Sequence, residues 1–310
     1  MSEFFTLSVL VATFASAVRL AVPYLLAALG ETIGQRSGVL NLGVDGVMLL
    51  SAFGAYYTVL QTESHTLGIL VGLLVGLFMG LVYGVVTVVL HAEQGISGIG
   101  IFLFGLGFSD LLFEELVGTA TPLPVSLPRL RIPLLGDIPH VGNALFNHTL
   151  AAYGAFLAVP LVTLLLTRTT FGLNVRSVGE NPEAADSLGV SVARTRFLAI
   201  LVGNGFAGLA GAGFILGLGI FQQNITQGLG FIAVALVYFG AWRSHMVMAG
   251  ALLYGVARAL VEQMKVRGII PLEASEFFNT MPAVLVIVAL VFLAGRVDAP
   301  SALTRPFSRH

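Results

Sequence analysis

Apolar residues in this chain fall in long uninterrupted runs. They do not alternate as in a half-buried strand, nor mark one narrow stripe as in a soluble helix. A membrane helix needs about 20 mostly apolar residues. On that measure the sequence predicts nine spans, with eight or ten as the neighbouring counts: 6–29, 39–60, 67–90, 98–117, 149–167, 197–220, 228–242, 246–262 and 279–295. Arg19 interrupts the first, and the seventh is short. Residues 118–147 form a polar excursion rich in proline (Pro122, Pro124, Pro128, Pro133, Pro139), and 168–195 is the longest charged segment. The pattern predicts an all-α polytopic membrane protein. Residues 1–310 form a single transmembrane domain, with 118–147 as one loop and 168–195 as another.

Composition sharpens this picture. The 310 residues are 56% hydrophobic and 10% charged, where soluble domains carry about 25% charge. Mean hydropathy is +0.94. So few charges cannot cover a soluble surface, and lipid is the expected surrounding. A net charge of −1 and the lack of a basic stripe exclude nucleic acid as a partner. Cysteine is absent, which removes disulfides, thiolate metal sites and cysteine nucleophiles. The lone lysine, Lys265, lies between Met264 and Val266, so no phosphate-binding Gly-Lys-Ser/Thr step exists. Any ATP-driven work must come from another chain. No Gly-x-Ser-x-Gly or His-Glu-x-x-His pattern occurs, and His65, His91, His140, His148 and His245 make no metal-ligand spacing. No catalytic residue, metal or cofactor is expected. The first ten residues lack a basic region, so no cleavable leader is expected.

Basic residues in loops set the expected orientation. Arg36, Arg168, Arg176, Arg194, Arg196, Arg243, Arg296, Arg305 and Arg309 fall on one side. Arg129, Arg131, Lys265 and Arg267 fall on the other. Nine against four makes the side of 168–195 cytoplasmic, with the N-terminus outside, the C-terminus inside, and 118–147 facing outward. Within the third span Gly68, Gly72, Gly76, Gly80 and Gly84 recur every four residues, forming a ridge without side chains that suits close helix packing.

Ionisable and amide side chains at membrane depth are costly and mark candidate function. Asn41, Asp45 and Asn204 lie beside glycines inside expected spans. They must face protein or a water-filled path, and amides with one carboxylate suit a neutral, hydroxyl-rich solute. Phe104 and Phe108, one turn apart, could stack a base or a sugar face. These five are the candidate solute-path residues, with tying helices together as the competing role.

The loop RTTFGLNVRSVGENPEAADSLGVSVARTRF is the most informative stretch. Asn181 is a helix cap, Pro182 suits a first turn, Glu183 complements the dipole, and Gly189 suits a helix exit. A short helix held between two spans predicts a knob that docks on a soluble partner.

The Glu183-Ala184-Ala185-x-x-x-Gly189 spacing resembles the EAA loop of ABC importer permeases. With it, 27–57, 169–190, 205–216 and 225–242 resemble the branch that includes branched-chain amino acid, simple-sugar and nucleoside permeases. Within that branch the likeness points to nucleoside-type permeases that work with a binding lipoprotein of the basic-membrane-protein kind. The resemblance covers most of 20–295. The Ile-x-Leu-Pro ending of the general EAA pattern is absent, and Phe197-Leu198-Ala199-Ile200-Leu201 stands there instead.

The resemblance implies that Glu183, Ala184, Ala185, Asp186 and Gly189 form a coupling helix entering a groove of an ATPase. Arg176 and Gly179 would set its approach, and Arg194 and Arg196 would anchor its exit at lipid headgroups. It also implies a second, non-identical permease subunit, an ABC ATPase subunit and an extracytoplasmic solute-binding lipoprotein. The chain would be an inner- or plasma-membrane transport subunit and not itself an enzyme. The competing classes are an ion-gradient-driven secondary transporter, which would show inverted repeats with paired acids, and the same ABC role with branched-chain amino acids as solute.

Overall fold

The computed structural model describes residues 7–308 except 126, 135, 137, 139–141, 143, 144 and 294–297. Pro139, His140, Arg296 and Arg309 of the sequence reading lie outside the described residues. The helices run in chain order as α1 Leu7–Arg36, α2 Val44–Thr62, α3 His65–Gly84 with a π-helical turn over Val85–Val89, and α4 Gln94–Leu116. They continue as α5 Leu150–Arg168, α6 Thr170–Glu180, α7 Pro182–Ser187, α8 Val192–Leu218, α9 Leu229–Phe239, α10 Ser244–Val266 and α11 Ser275–Leu293. In the Pro-rich loop two short strands pair antiparallel, β1 Arg129–Arg131 and β2 Asn147–Thr149, with Arg129 opposite Thr149.

Each of the nine expected spans overlaps a helix, but among the described residues six helices are long and apolar enough to cross a membrane: α1, α3 with its π turn, α4, α5, α8 and α10. α9 has 11 residues. α2 has 19 residues, is buried along most of its length and carries Asp45 in its first turn. The first helix also runs farther than expected. Arg36 ends it, where the apolar run suggested 29. Glu31, Thr32 and Gln35 look like loop residues because they are polar, yet all three are buried. Thr32 donates to the Ala28 carbonyl and Gln35 to Glu31 within the helix, and Trp242, beyond the end of α9, donates to Gln35, so the helix need not stop where apolarity does.

Caps define the other boundaries. Ser64, Thr149 and Ser191 accept the backbone N–H groups of Leu67, Ala152 and Arg194, satisfying donors that a helix start leaves open. Glu93 caps α4 through the N–H groups of Ile96 and Gly95, and these bonds hold its carboxyl below the usual glutamate range.

Packing rests on missing side chains. The glycine ridge of α3 lies against α8. A Cβ on Gly72 would sit 2.6 Å from the Ala212 Cβ, and one on Gly80 would sit 2.8 Å from the Asn204 Cβ. Gly208 of α8 faces Gly72 and Gly76 in return. In lipid no hydrophobic drive brings helices together, so close van der Waals contact along such faces does that work. Gly76→Leu is therefore expected to cost at least about 3 kcal/mol of folded stability, because the α8 backbone blocks the new side chain. Gly100→Ala should be neutral or better, since nothing lies within 4 Å of that position. Thermal unfolding of both variants in one detergent checks the contrast. Equal Tm losses would show that the ridge is not the constraint.

Candidate functional site

The α6–α7 segment projects from one end of the bundle. Thr169 caps α6 by accepting the Gly172 N–H at 3.0 Å. Val175, Val178 and Gly179 form the buried side of α6. Gly179 fits so tightly against the Arg36 carbonyl that a Cβ would overlap it. Asn181 ends α6 and caps α7, its Oδ1 accepting the Ala184 N–H at 2.9 Å. Pro182 occupies the first turn, where no N–H is needed. Beyond α7 the Gly189 N–H bonds the Asp186 carbonyl at 2.9 Å and the Val190 N–H bonds the Ala185 carbonyl at 3.0 Å. That pair is the Schellman closure, and Gly189 supplies its left-handed residue at φ +86°.

One face of this turn is anchored and the other is free. Ala185 is buried with Val178 and Val192, with Val190 and Phe307 packed beside them. Glu183, Ala184, Ser187 and Gly189 are exposed, and Leu188 is 86% exposed. Asp186 is half-buried. Arg176 bonds back to the Gly172 carbonyl at 3.4 Å within α6. Arg194 is exposed. Arg196 differs from its expected place among headgroups. It is buried, donating from Nε to the Ser37 carbonyl at 3.2 Å and from Nη1 to the Arg305 carbonyl at 2.8 Å. The cause is the segment at 300–305, which folds under α6: the Ala302 N–H bonds the Gly179 carbonyl and the Thr304 N–H bonds the Gly38 carbonyl.

A polar chain leads from this end into the bundle. Arg36 donates from Nε and Nη2 to the Trp242 carbonyl, both at 3.3 Å. Trp242 Nε1 donates to Gln35 Oε1 at 2.9 Å, and Gln35 Nε2 donates to Glu31 Oε2 at 3.2 Å. Deeper, Asn41 Nδ2 donates to Asn204 Oδ1 at 3.1 Å, and Asn204 Nδ2 donates to the Ile200 carbonyl. Asn204 stands midway along α8, so the non-helical stretch between α1 and α2 dips into the bundle interior.

α9 is a half-length helix that starts in that interior. Its cap position, Gly228, offers no side chain. Asp45 of α2 takes that role: Oδ1 accepts the Gly230 N–H at 2.7 Å and Oδ2 accepts the Thr226 hydroxyl at 3.0 Å. A carboxylate at a helix N-terminus is favoured by the open N–H groups and the dipole. Gly230 must lack a side chain, because a Cβ there would lie 2.5 Å from the Asp45 Cα.

The five candidate path residues therefore separate into two groups. Asn41, Asp45 and Asn204 are buried, with their polar atoms bonded to protein. Phe104 and Phe108 stack at 5.2 Å on an outward face of α4, 50% and 39% exposed. Sequence reasoning missed Glu31, Gln35 and Trp242. The i, i+4 spacing of Glu31 and Gln35, and the single tryptophan of the chain, were the signals that could have found them.

Comparison with known proteins fits this architecture. The chain is 38% identical to a putative glucose ABC transporter permease of Haloferax volcanii over 78% of this chain and 74% of the relative. It is 32% identical to a guanosine ABC transporter permease of Bacillus subtilis over 93% of each. It is 30% identical to a nucleoside ABC transporter permease of Lactococcus lactis, over 91% of this chain and 92% of the relative. No solved structure matches. The family described as branched-chain amino acid transport system / permease component matches residues 13–292, and the chain belongs to that family.

Proposed function

We propose that the chain is the permease subunit of an ATP-driven importer of nucleosides, joined through the α6–α7 knob to a separate ATP-hydrolysing subunit. The observation that carries this reading is the knob itself: a capped, Schellman-closed turn whose Ala185 side is fixed and whose Glu183, Ala184, Ser187 and Leu188 are exposed. An apolar side chain as exposed as Leu188 suits a groove in a partner. The solute assignment rests on the guanosine and nucleoside relatives, which align over more than nine-tenths of both chains. The glucose relative favours a sugar instead. Uptake of labelled guanosine and glucose by cells carrying the assembled system decides between them. Glucose uptake without guanosine uptake would overturn the nucleoside assignment.

In this reading a second, non-identical permease completes the pathway, and an extracytoplasmic binding lipoprotein delivers the solute. Closure of the ATPase pair draws the two knobs together. Gly179 seated on the Arg36 carbonyl passes that movement to the end of α1, and the Arg36–Trp242–Gln35–Glu31 chain carries it to the base of α9. Phe104 and Phe108 meet solute on their open face. Asn41, Asp45 and Asn204 meet it when their present bonds exchange during the cycle.

The knob end is assigned to the cytoplasm. Arg36, Arg196, Arg243 and Arg305 all lie on elements that meet there, in keeping with the positive-inside rule. A cysteine at 180 is expected to react with an impermeant maleimide only from the cytoplasmic side. One at 134, where Leu134 is 85% exposed, should react only from outside. The cysteine-free chain gives a clean background, and reversed labelling would invert the topology.

A further inference from the structure

At the end of the bundle opposite the knob, a cavity of about 360 Å³ opens between α1 and the β1–β2 ribbon. Ser16, Arg19, Arg129, Asn147, His148 and Thr149 line it. The strand register sets Arg129 across from Thr149, so the ribbon brings its arginine to the mouth of the cavity that Arg19 enters from α1. Arg19 donates to the Ser16 hydroxyl at 3.4 Å. Among the described residues no carboxylate pairs with Arg19 or Arg129, and no acidic residue lines the cavity. Two guanidinium groups thus share one concavity with no counter-charge among the described residues. Like charges brought together cost free energy unless an anion joins them.

The level of the cavity identifies the anion. Thr149 caps α5, whose 19 residues to Arg168 span about 28 Å at 1.5 Å per residue. Arg19 and Arg36 stand 17 residues apart on α1, about 26 Å by the same rise. Both lengths approach the ~30 Å hydrocarbon thickness of a bilayer, so the cavity lies at headgroup level. Its flank toward the bilayer interior is apolar and open: Leu150 and Leu157, which follow Thr149 on α5, are exposed. Acyl chains fit that flank, whereas a soluble partner would approach along the bundle axis.

We infer that this cavity binds the phosphodiester headgroup of an anionic phospholipid, held by Arg19 and Arg129 with the Ser16 and Thr149 hydroxyls as neutral donors. Guanidinium presents paired donors that match phosphate oxygens. The inference rests on the reading of the chain as membrane-spanning and is independent of what the permease carries.

The experiment uses the purified full chain in detergent with phosphatidylglycerol, phosphatidylcholine and inorganic phosphate as probes, read by native mass spectrometry. The wild type is expected to retain phosphatidylglycerol over phosphatidylcholine. Arg19→Gln and Arg129→Gln should each weaken that retention about tenfold, as expected for one charge-assisted bond. Arg168→Gln, at the other end of α5, should leave it unchanged. Arg129 lies on the exposed ribbon, so its variant keeps the test valid if Arg19→Gln fails to fold. Unchanged lipid retention in both cavity variants overturns the site. Displacement of lipid by millimolar inorganic phosphate overturns the lipid as occupant in favour of a free anion. Loss of binding-lipoprotein docking in the variants, with lipid retention intact, assigns the arginines to a protein partner and overturns the inference equally.

Discussion

Uptake is expected to fall to background when Glu183 becomes lysine or Gly189 becomes tryptophan, with abundance and membrane insertion unchanged. The two substitutions fail for different reasons. Gly189 holds φ +86° and has nothing within 4 Å, so tryptophan meets no clash inside the chain. It does meet backbone strain of about 1–2 kcal/mol, the penalty for a side chain in the left-handed region, and its bulk projects from the exposed side of the knob, where the proposed ATPase groove would sit. Glu183 is exposed in the first turn of α7. Lysine there places a cation at the positive end of the helix and reverses the charge offered to the partner. Neither position supports the bundle, because the anchor is Ala185 with Val178 and Val192. The decisive measurement pairs solute uptake with ATPase activity of the co-purified complex: transport is lost, while the Tm of the permease alone shifts by no more than a few degrees. Wild-type uptake by an assembled complex carrying either substitution would sink the coupling assignment.

The knob was legible because its signals are local. Asn181, Pro182 and Gly189 each act within a few residues of themselves, so cap, first turn and exit can be read from spacing alone, and the glycine period of α3 announces its own packing face. The interior was not legible in the same way. Whether Asp45 faces a solute path or caps a helix depends on Gly230, 185 residues later, and no periodicity connects them. Glu31 and Gln35 were hidden for a related reason. Hydropathy ends the first span where polar residues begin, but a helix continues through polar residues when distant groups satisfy them, here the indole of Trp242. Arg196 followed the same rule. Its basic character suggested a headgroup, and it is instead consumed by two backbone carbonyls from distant parts of the chain. The α9 segment was seen as a short span, and its role as a half-helix starting in the interior follows only from its contact with α2.

Asp45→Ala is expected to be the most damaging single change in the interior. It leaves the Gly230 N–H and the Thr226 hydroxyl facing an apolar methyl group in a buried place, and removes the cap that α9 lacks in its own sequence. Hydrogen bonds to a charged group contribute about 1.5–3 kcal/mol each. Two of them approach the lower part of the 5–15 kcal/mol that typically holds a fold together. Folded yield and assembly should fall sharply. Asp45→Asn keeps a carbonyl oxygen for Gly230 and an amide for the Thr226 oxygen, so it should recover much of the yield. Asn41→Ala and Asn204→Ala remove one neutral amide pair and leave α1, α2 and α8 otherwise packed. Their expected signature is a raised KM for uptake with ATPase activity and assembly retained, because in the proposed cycle the amide pair opens toward solute. If all three alanine variants lower abundance and ATPase activity together, with no change in solute preference or KM, then Asn41, Asp45 and Asn204 tie the broken helices together, and contact with solute falls to Phe104 and Phe108 on the open face of α4.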